Sequence, residues 1–323
     1  MNISLQSLQP QMKGLRRKIS DHPAVTTIYV VLLVMIAFSS LWSENFRTAG
    51  NIFNVLRQVV VLGLVSIGQT FVILTGGIDL SVGSIVKLIS VLSAGTLDGR
   101  EALTIPVVAL CLLLGSTIGL INGLIITRLR VAPFIVTLGM FSIVRGLALA
   151  YTTQPVGDIT EPIEFLYNGQ IGRVPFAVVF FLVLWGVGVI VLGMTPFGRH
   201  IYATGDNRLV ARLSGVPADR IIVSVFVISG FLAALAGLMT VSRMGLGDPI
   251  VAEGLELDSI TAVVLGGTSL FGGIGGLVGT LGGVLVLGMV NNMLNLLRIS
   301  QWYQLLVKGL IIVGAVAIYK QKD

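Results

Sequence analysis

Residues 259–297 read SITAVVLGGTSLFGGIGGLVGTLGGVLVLGMVNNMLNLL, without one charged side chain. A hydrocarbon core about 30 Å thick takes about 20 helical residues at a rise of about 1.5 Å each. The run is nearly twice that length, so it holds two segments. Its glycines crowd between Gly266 and Gly276, where a short broken helix or re-entrant turn is expected. Open backbone at membrane depth is tolerated only inside protein or against a cavity. The stretch is not a nucleotide loop, because no Gly-Lys-Ser/Thr follows and no G-x-G-x-x-G spacing is present.

The rest of the chain follows the same pattern. Uncharged runs of spanning length occur at His22–Ser43, Gln58–Ile78, Ala102–Thr127, Val174–Gly198 and Ile221–Ser242. Three more are interrupted by one charge each: Leu80–Leu97 by Lys87, Val131–Tyr151 by Arg145, and Trp302–Tyr319 by Lys308. Strand-like alternation is absent, which argues against a barrel. The expectation is an all-α integral membrane protein of about ten transmembrane helices, forming a single domain over residues 1–323. Four basic residues precede the first run, as in a signal peptide. The run lacks a small-x-small cleavage site and is expected to remain as the first helix.

Composition supports this reading. Apolar residues make up 54% of the 323 and glycine adds 40 more, while charged residues are only 11%, against roughly a quarter in soluble domains. Mean hydropathy is +0.96. A soluble enzyme, a disordered chain and a disulfide scaffold are excluded. Cys111 is the one cysteine and lies in an apolar run. The net charge of +6 points to membrane orientation before nucleic-acid binding. With residues 1–22 in the cytoplasm, twelve Lys and Arg fall on that side of the membrane. Six fall outside: Arg47, Arg57, Arg100, Arg173, Arg243 and Arg298. That asymmetry places both termini in the cytoplasm.

A weak internal repeat is legible. Leu74-Thr75-Gly76-Gly77, then Gly119-Leu120-Ile121-Asn122, then Arg145-Gly146-Leu147 match a second series. That series is Leu265-Gly266-Gly267, Gly288-Met289-Val290-Asn291 and Lys308-Gly309-Leu310. Such repeats are a common transporter plan. Gly115, Gly119 and Gly123, and again Gly275, Gly279 and Gly283, recur every four residues and are expected on helix faces that pack closely.

Catalytic material is scarce. His22 and His200 are far apart, no metal-ligand spacing appears, and no cofactor is implied. Charges within spans are the informative exceptions, since each costs about 2.5–3.5 kcal/mol at a helix centre on insertion scales. Asp79 precedes a helix it is placed to cap. Lys87 lies about 10 Å into its helix and is expected to face protein or a cavity, partnered from another segment. Arg145 and Lys308 occupy matching repeat positions. Asn122 and Asn291 are further candidate polar groups of a path or its frame. Two outer loops are acidic, and Glu253, Glu256 and Asp258 in the second are expected to meet a docking partner. Residues 197–220 form the most unusual non-spanning stretch. There Asn207 caps a short helix through Leu213, and Gly215-Val216-Pro217 stops it. That helix reads either as basic and amphipathic along the membrane or as a docking element.

The stretches Gly76–Gly83, Phe197–Pro217 and Glu256–Leu270, in this order and spacing, closely resemble the membrane permeases of ribose-type bacterial sugar ABC importers. The resemblance runs from about Asn51 to Lys320. It implies a bacterial inner-membrane permease, working with a second permease subunit as a homodimer or other pair. It also implies a periplasmic sugar-binding protein and a cytoplasmic ATP-binding subunit with tandem cassettes, which hydrolyses the ATP. The family's ATPase-coupling loop corresponds to Gly205, Asp206, Asn207, Ala211, Leu213, Ser214 and Gly215. Lys87 stands where a small or apolar residue is usual. A secondary transporter of a small polar solute is the alternative reading.

Overall fold

The computed structural model describes residues 23–42 and 44–300, together with 303, 304, 306, 307, 309 and 310. Among these, the chain is built almost wholly of helices: α1 (Pro23–Trp42), α2 (Ala49–Leu74), α3 (Val82–Leu97), α4 (Thr104–Arg128), α5 (Pro133–Tyr151), α6 (Glu161–Asn168), α7 (Phe176–Met194), α8 (Pro196–Asp206), α9 (Arg208–Leu213), α10 (Ala218–Met244), α11 (Leu255–Leu265) and α12 (Leu277–Leu296). A small antiparallel hairpin, β1 (Gln170–Ile171) and β2 (Val174–Pro175), leads into α7.

Local chemistry sets several boundaries. Thr48 accepts the Asn51 amide at 3.2 Å and opens α2. Pro133 takes the first position of α5, where its missing N–H costs nothing. Gly245, at φ +77°, closes α10.

The core is organised around α10, which packs on α4, α2 and α3. The α4–α10 crossing rests on the glycine stripe seen in the sequence. A Cβ at Gly119 would strike the Phe226 carbonyl, and Gly115 and Gly230 meet backbone to backbone. Small residues at such positions let helices approach closely where lipid provides no hydrophobic drive. The second stripe is different. Gly279 and Gly283 lie on α12 and pack on Gly266 and Ala262, whereas Gly275 precedes the helix at φ +121° and belongs to a loop.

Among the described residues, seven helices are long and apolar enough to cross a membrane: α1, α2, α4 with its preceding 3-10 turn, α5, α7, α10 and α12. Of the ten segments expected from sequence, two are shorter. The 16 residues of α3 reach about 24 Å and the 11 of α11 about 16 Å. The third, Trp302–Tyr319, lies largely outside the described residues. Both short helices belong to discontinuous segments. The chain leaves α2 at Leu74, turns at the exposed Gly76, enters the protein interior by Asp79, and starts α3 there. After α10, residues 245–254 run along α3: Gly247 packs on Ser90 and Val91, and the Ala252 carbonyl lies beside Gly83. Helix α11 starts at that point and ends at Leu265, and the glycine-rich residues 266–276 precede α12. The two leucines that open the repeat, Leu74 and Leu265, are each the last residue of a helix.

Candidate translocation and coupling sites

The loop that starts α3 is fixed from four helices. Asp79 is fully buried. Its Oδ1 accepts the Ser81 amide at 3.0 Å and the Ser81 hydroxyl at 2.6 Å. Its Oδ2 accepts the Ser229 hydroxyl of α10 at 2.8 Å. Asn122 of α4 donates through Nδ2 to Ser81 Oγ at 3.0 Å, and Thr137 of α5 donates to the Ile78 carbonyl at 2.9 Å. Gln69 of α2, with its amide turned to satisfy both groups, donates to the Asp79 carbonyl and accepts its amide. The carboxylate therefore organises a polar knot rather than facing open space. Asn122 Oδ1 is left buried without a partner among the described residues.

A second polar cluster lies where α3 and α11 begin. Lys87, Arg145, Glu253 and Glu256 line a small cavity with Ser84 and Phe141. Arg145 pairs with Glu253 at 3.3 Å. Lys87 is only 5% exposed, and its charge faces Arg145, Glu253 and Glu256. Both carboxylates come from a segment far along the chain. Asp258 lies within the first turn of α11, whose N-cap is Gly254.

The stretch 197–220 folds as two helices. Thr195 caps α8 by accepting the Gly198 amide at 3.2 Å. Asn207 Oδ1 accepts the Leu209 and Val210 amides, both at 3.0 Å, and so caps α9; Gly215 follows at φ +83°. Asp219, in the first turn of α10, accepts Arg208 at 2.7 Å and also Arg212, which holds α9 against α10. Ala211 is 4% exposed and turns inward, whereas Leu209, Val210 and Leu213 are exposed at 66%, 55% and 80%. Asp206, Asn207, Ser214 and Gly215 are exposed as well.

The end of α8 enters the junction of the two discontinuous segments. Gly273 donates to the Leu74 carbonyl at 3.0 Å. A Cβ on Gly205 would strike that same carbonyl and the Gly273 amide, and one on Gly272 would meet Gly76 and Gly205. Tyr202 donates its hydroxyl to the Gly275 carbonyl at 2.9 Å. Burial pushes the Tyr202 phenol above its ordinary range, so it stays a protonated donor.

The profile of the family described as "Branched-chain amino acid transport system / permease component" matches residues 51–316. The chain belongs to that permease family. The ribose import permease protein RbsC of Escherichia coli (strain K12) is 43% identical over 305 residues, covering 91% of this chain and 93% of the relative. RbsC of Bacillus subtilis (strain 168) is also 43% identical, over 91% of this chain and 92% of its own. The fructose import permease protein FrcC of Rhizobium meliloti is 38% identical, over 95% and 88%. No solved structure matches. Family membership and seven apolar helices together make this a multi-pass membrane protein.

The remaining candidates of this permease are dispersed. Asn291 on α12 is half-buried with Oδ1 unpartnered among the described residues. Its neighbour Asn292 exchanges hydrogen bonds with Asn51 at 3.3 and 3.0 Å, a link between α12 and α2 that sequence reasoning missed. Lys308, expected to match Arg145, lies outside the described residues. Leu209 and Val210 were also missed, although their spacing from Asn207 and Leu213 puts them on a helix of one and a half turns whose outer face is apolar.

Proposed function

We propose that this chain is the membrane subunit of an ATP-driven importer of a ribose-like monosaccharide. The observation that carries the reading is 43% identity to ribose import permeases over nine-tenths of both chains. The family description names another solute, but these relatives carry sugar names. The domain is single, over residues 1–323, with about ten helices including Trp302–Tyr319 and with residues 266–276 re-entrant. It sits in the bacterial inner membrane with lipid on its outer helices, and residues 1–22 and both termini are cytoplasmic. Two copies form the path. Asp79, Lys87, Asn122, Arg145, Asn291 and Lys308 supply its polar groups or brace them.

A periplasmic sugar-binding protein docks on the outer loops. A cytoplasmic tandem-cassette ATPase docks on residues 197–220, reading Leu209, Val210 and Leu213 together with Asp206, Asn207, Ser214 and Gly215; Gly205 and Ala211 act from inside. ATP binding and hydrolysis in that partner favour different arrangements of the paired permease, and so shift access between the two sides. The route inward is short. Displacing α9 moves the end of α8, whose Gly205 bears on Leu74 and Gly273 at the junction of both discontinuous segments.

The test is reconstitution. Vesicles holding the chain with its ATPase, supplied with binding protein and ATP, accumulate labelled D-ribose. Accumulation that needs an ion gradient instead of ATP overturns the reading in favour of a secondary transporter.

A further inference from the structure

Two helices begin at one point in the bundle. The first turn of α3 presents Gly83 and Ser84, and the first turn of α11 presents Glu256, whose Oε2 lies so close to Gly83 that a Cβ there would collide with it. Between them is a cavity of about 10 Å³, near the room one water-sized group requires. Among the described residues, one oxygen there is unsatisfied, and one ammonium has no close partner. Glu256 Oε2 is buried without a hydrogen-bond partner among the described residues. Lys87 is nine-tenths and more buried, yet takes part in no hydrogen bond or ion pair among those residues. Arg145 and Glu253 satisfy each other at the mouth, with Phe141 beside them.

Leaving a buried acceptor unmatched beside a lysine that makes no hydrogen bond is costly, and native proteins rarely do it without a ligand or water in view. The formal charges in the cavity cancel, two cations against two carboxylates, so neither an anion nor a cation is favoured there. A neutral diol matches both orphans at once: one hydroxyl donates to Glu256 Oε2, and the same or the adjacent oxygen accepts from Lys87 Nζ. The space admits one hydroxyl edge and not a sugar ring, so the remainder of the molecule lies at the mouth against Phe141 and Arg145. We infer that this cavity is a station for one hydroxyl edge of a neutral polyhydroxylated substrate during its passage through the permease. The inference rests on the reading of the chain as a sugar permease and adds to it a site and the residues that make it.

The test uses the full complex in vesicles, with D-ribose as the probe and loaded binding protein as the varied component. For Lys87→Met, the maximal uptake rate is expected to fall about tenfold or more, while the concentration of loaded binding protein at half-maximal rate stays put. Lys87→Arg, which keeps a donor, is expected to recover much of the rate. Removing Lys87 leaves two carboxylates against one cation, which can destabilise the bundle, so insertion and thermal midpoint of the variant are measured alongside uptake. Should Lys87→Met fail to insert, Glu256→Met is read on the same two axes. An unchanged maximal rate overturns the inference. A shifted half-saturation at the same maximal rate overturns it too, because that places the cluster in binding-protein docking. Wild-type vesicles that import no D-ribose overturn the functional reading, and this inference with it.

Discussion

The amide of Gly273 donates to the carbonyl of Leu74 at 3.0 Å, joining the last residue of α2 to the loop between α11 and α12. Helix α8 ends against the same pair, at Gly205. Two breaks far apart in the chain thus meet at the C-terminal end of α8, which Asn207 joins to α9.

Gly205→Val tests the contact. The added side chain has no space between the Leu74 carbonyl and the Gly273 amide. Overpacking of this kind costs about 1–3 kcal/mol. We expect the variant to insert and to copurify with the ATPase, but with sugar uptake reduced about tenfold or more. Normal uptake in vesicles would remove the junction from the coupling route.

A pair of variants separates the two faces of α9. Leu209→Asp, at an exposed site, should leave the thermal midpoint of the permease unchanged and abolish copurification of the ATPase. Ala211→Glu puts a carboxylate into a site that is 4% exposed, so it should lower that midpoint in the isolated permease. The opposite pattern in a thermal-shift and pull-down experiment would place docking elsewhere.

Orientation is open to a labelling test. Asn168 at the end of α6 and Asp206 at the end of α8 are both exposed. Single cysteines at these positions, with Cys111 replaced, should react with an impermeant reagent from opposite sides of the membrane. Reaction from the same side would rule out the topology with cytoplasmic termini.

For Asp79 the expected effect is structural. Asp79→Ala strands the Ser81 amide and two hydroxyls, each about 1–3 kcal/mol when buried and unpaired. Asp79→Asn keeps an acceptor for part of the set. Thermal midpoints should therefore fall in the order wild type, Asn, Ala, and an unchanged Ala variant would contradict the bracing role.

The acidic surface proposed to face outward predicts a salt-dependent interaction. Glu253 is engaged with Arg145 and Glu256 lines the cavity, whereas Glu161 and Glu164 of α6 are exposed, with Asp158 just before them. Reversing both should slow association of the binding protein at low ionic strength, and the difference should shrink as salt screens it. Equal association rates at low salt would exclude steering by α6.

What the sequence carried plainly was local. Asn207 to Gly215 spells a capped and terminated helix within nine residues, and Gly115, Gly119 and Gly123 spell a packing face by spacing alone. Span length was less legible. Residues 245–254 and 266–276 lead into and out of α11, and the second of these is as uncharged as a helix, so hydropathy registers a span where the backbone is broken. The start of α3 is set by Gln69, Asn122, Thr137 and Ser229, side chains that only the tertiary fold brings together. The inward turn of Ala211 and the carboxylates beside Lys87 depend likewise on packing between distant segments.

The backbone contact between Gly119 and Phe226 has its own consequence. Two helices touching through their main chains keep a short separation that side-chain rotamer changes cannot widen. Helices α4 and α10 are therefore expected to move as one unit, with the looser pieces shifting about them. Spin labels on α4 and α10 should keep a constant separation with and without ATP, while a pair bridging α10 and the 266–276 loop changes distance.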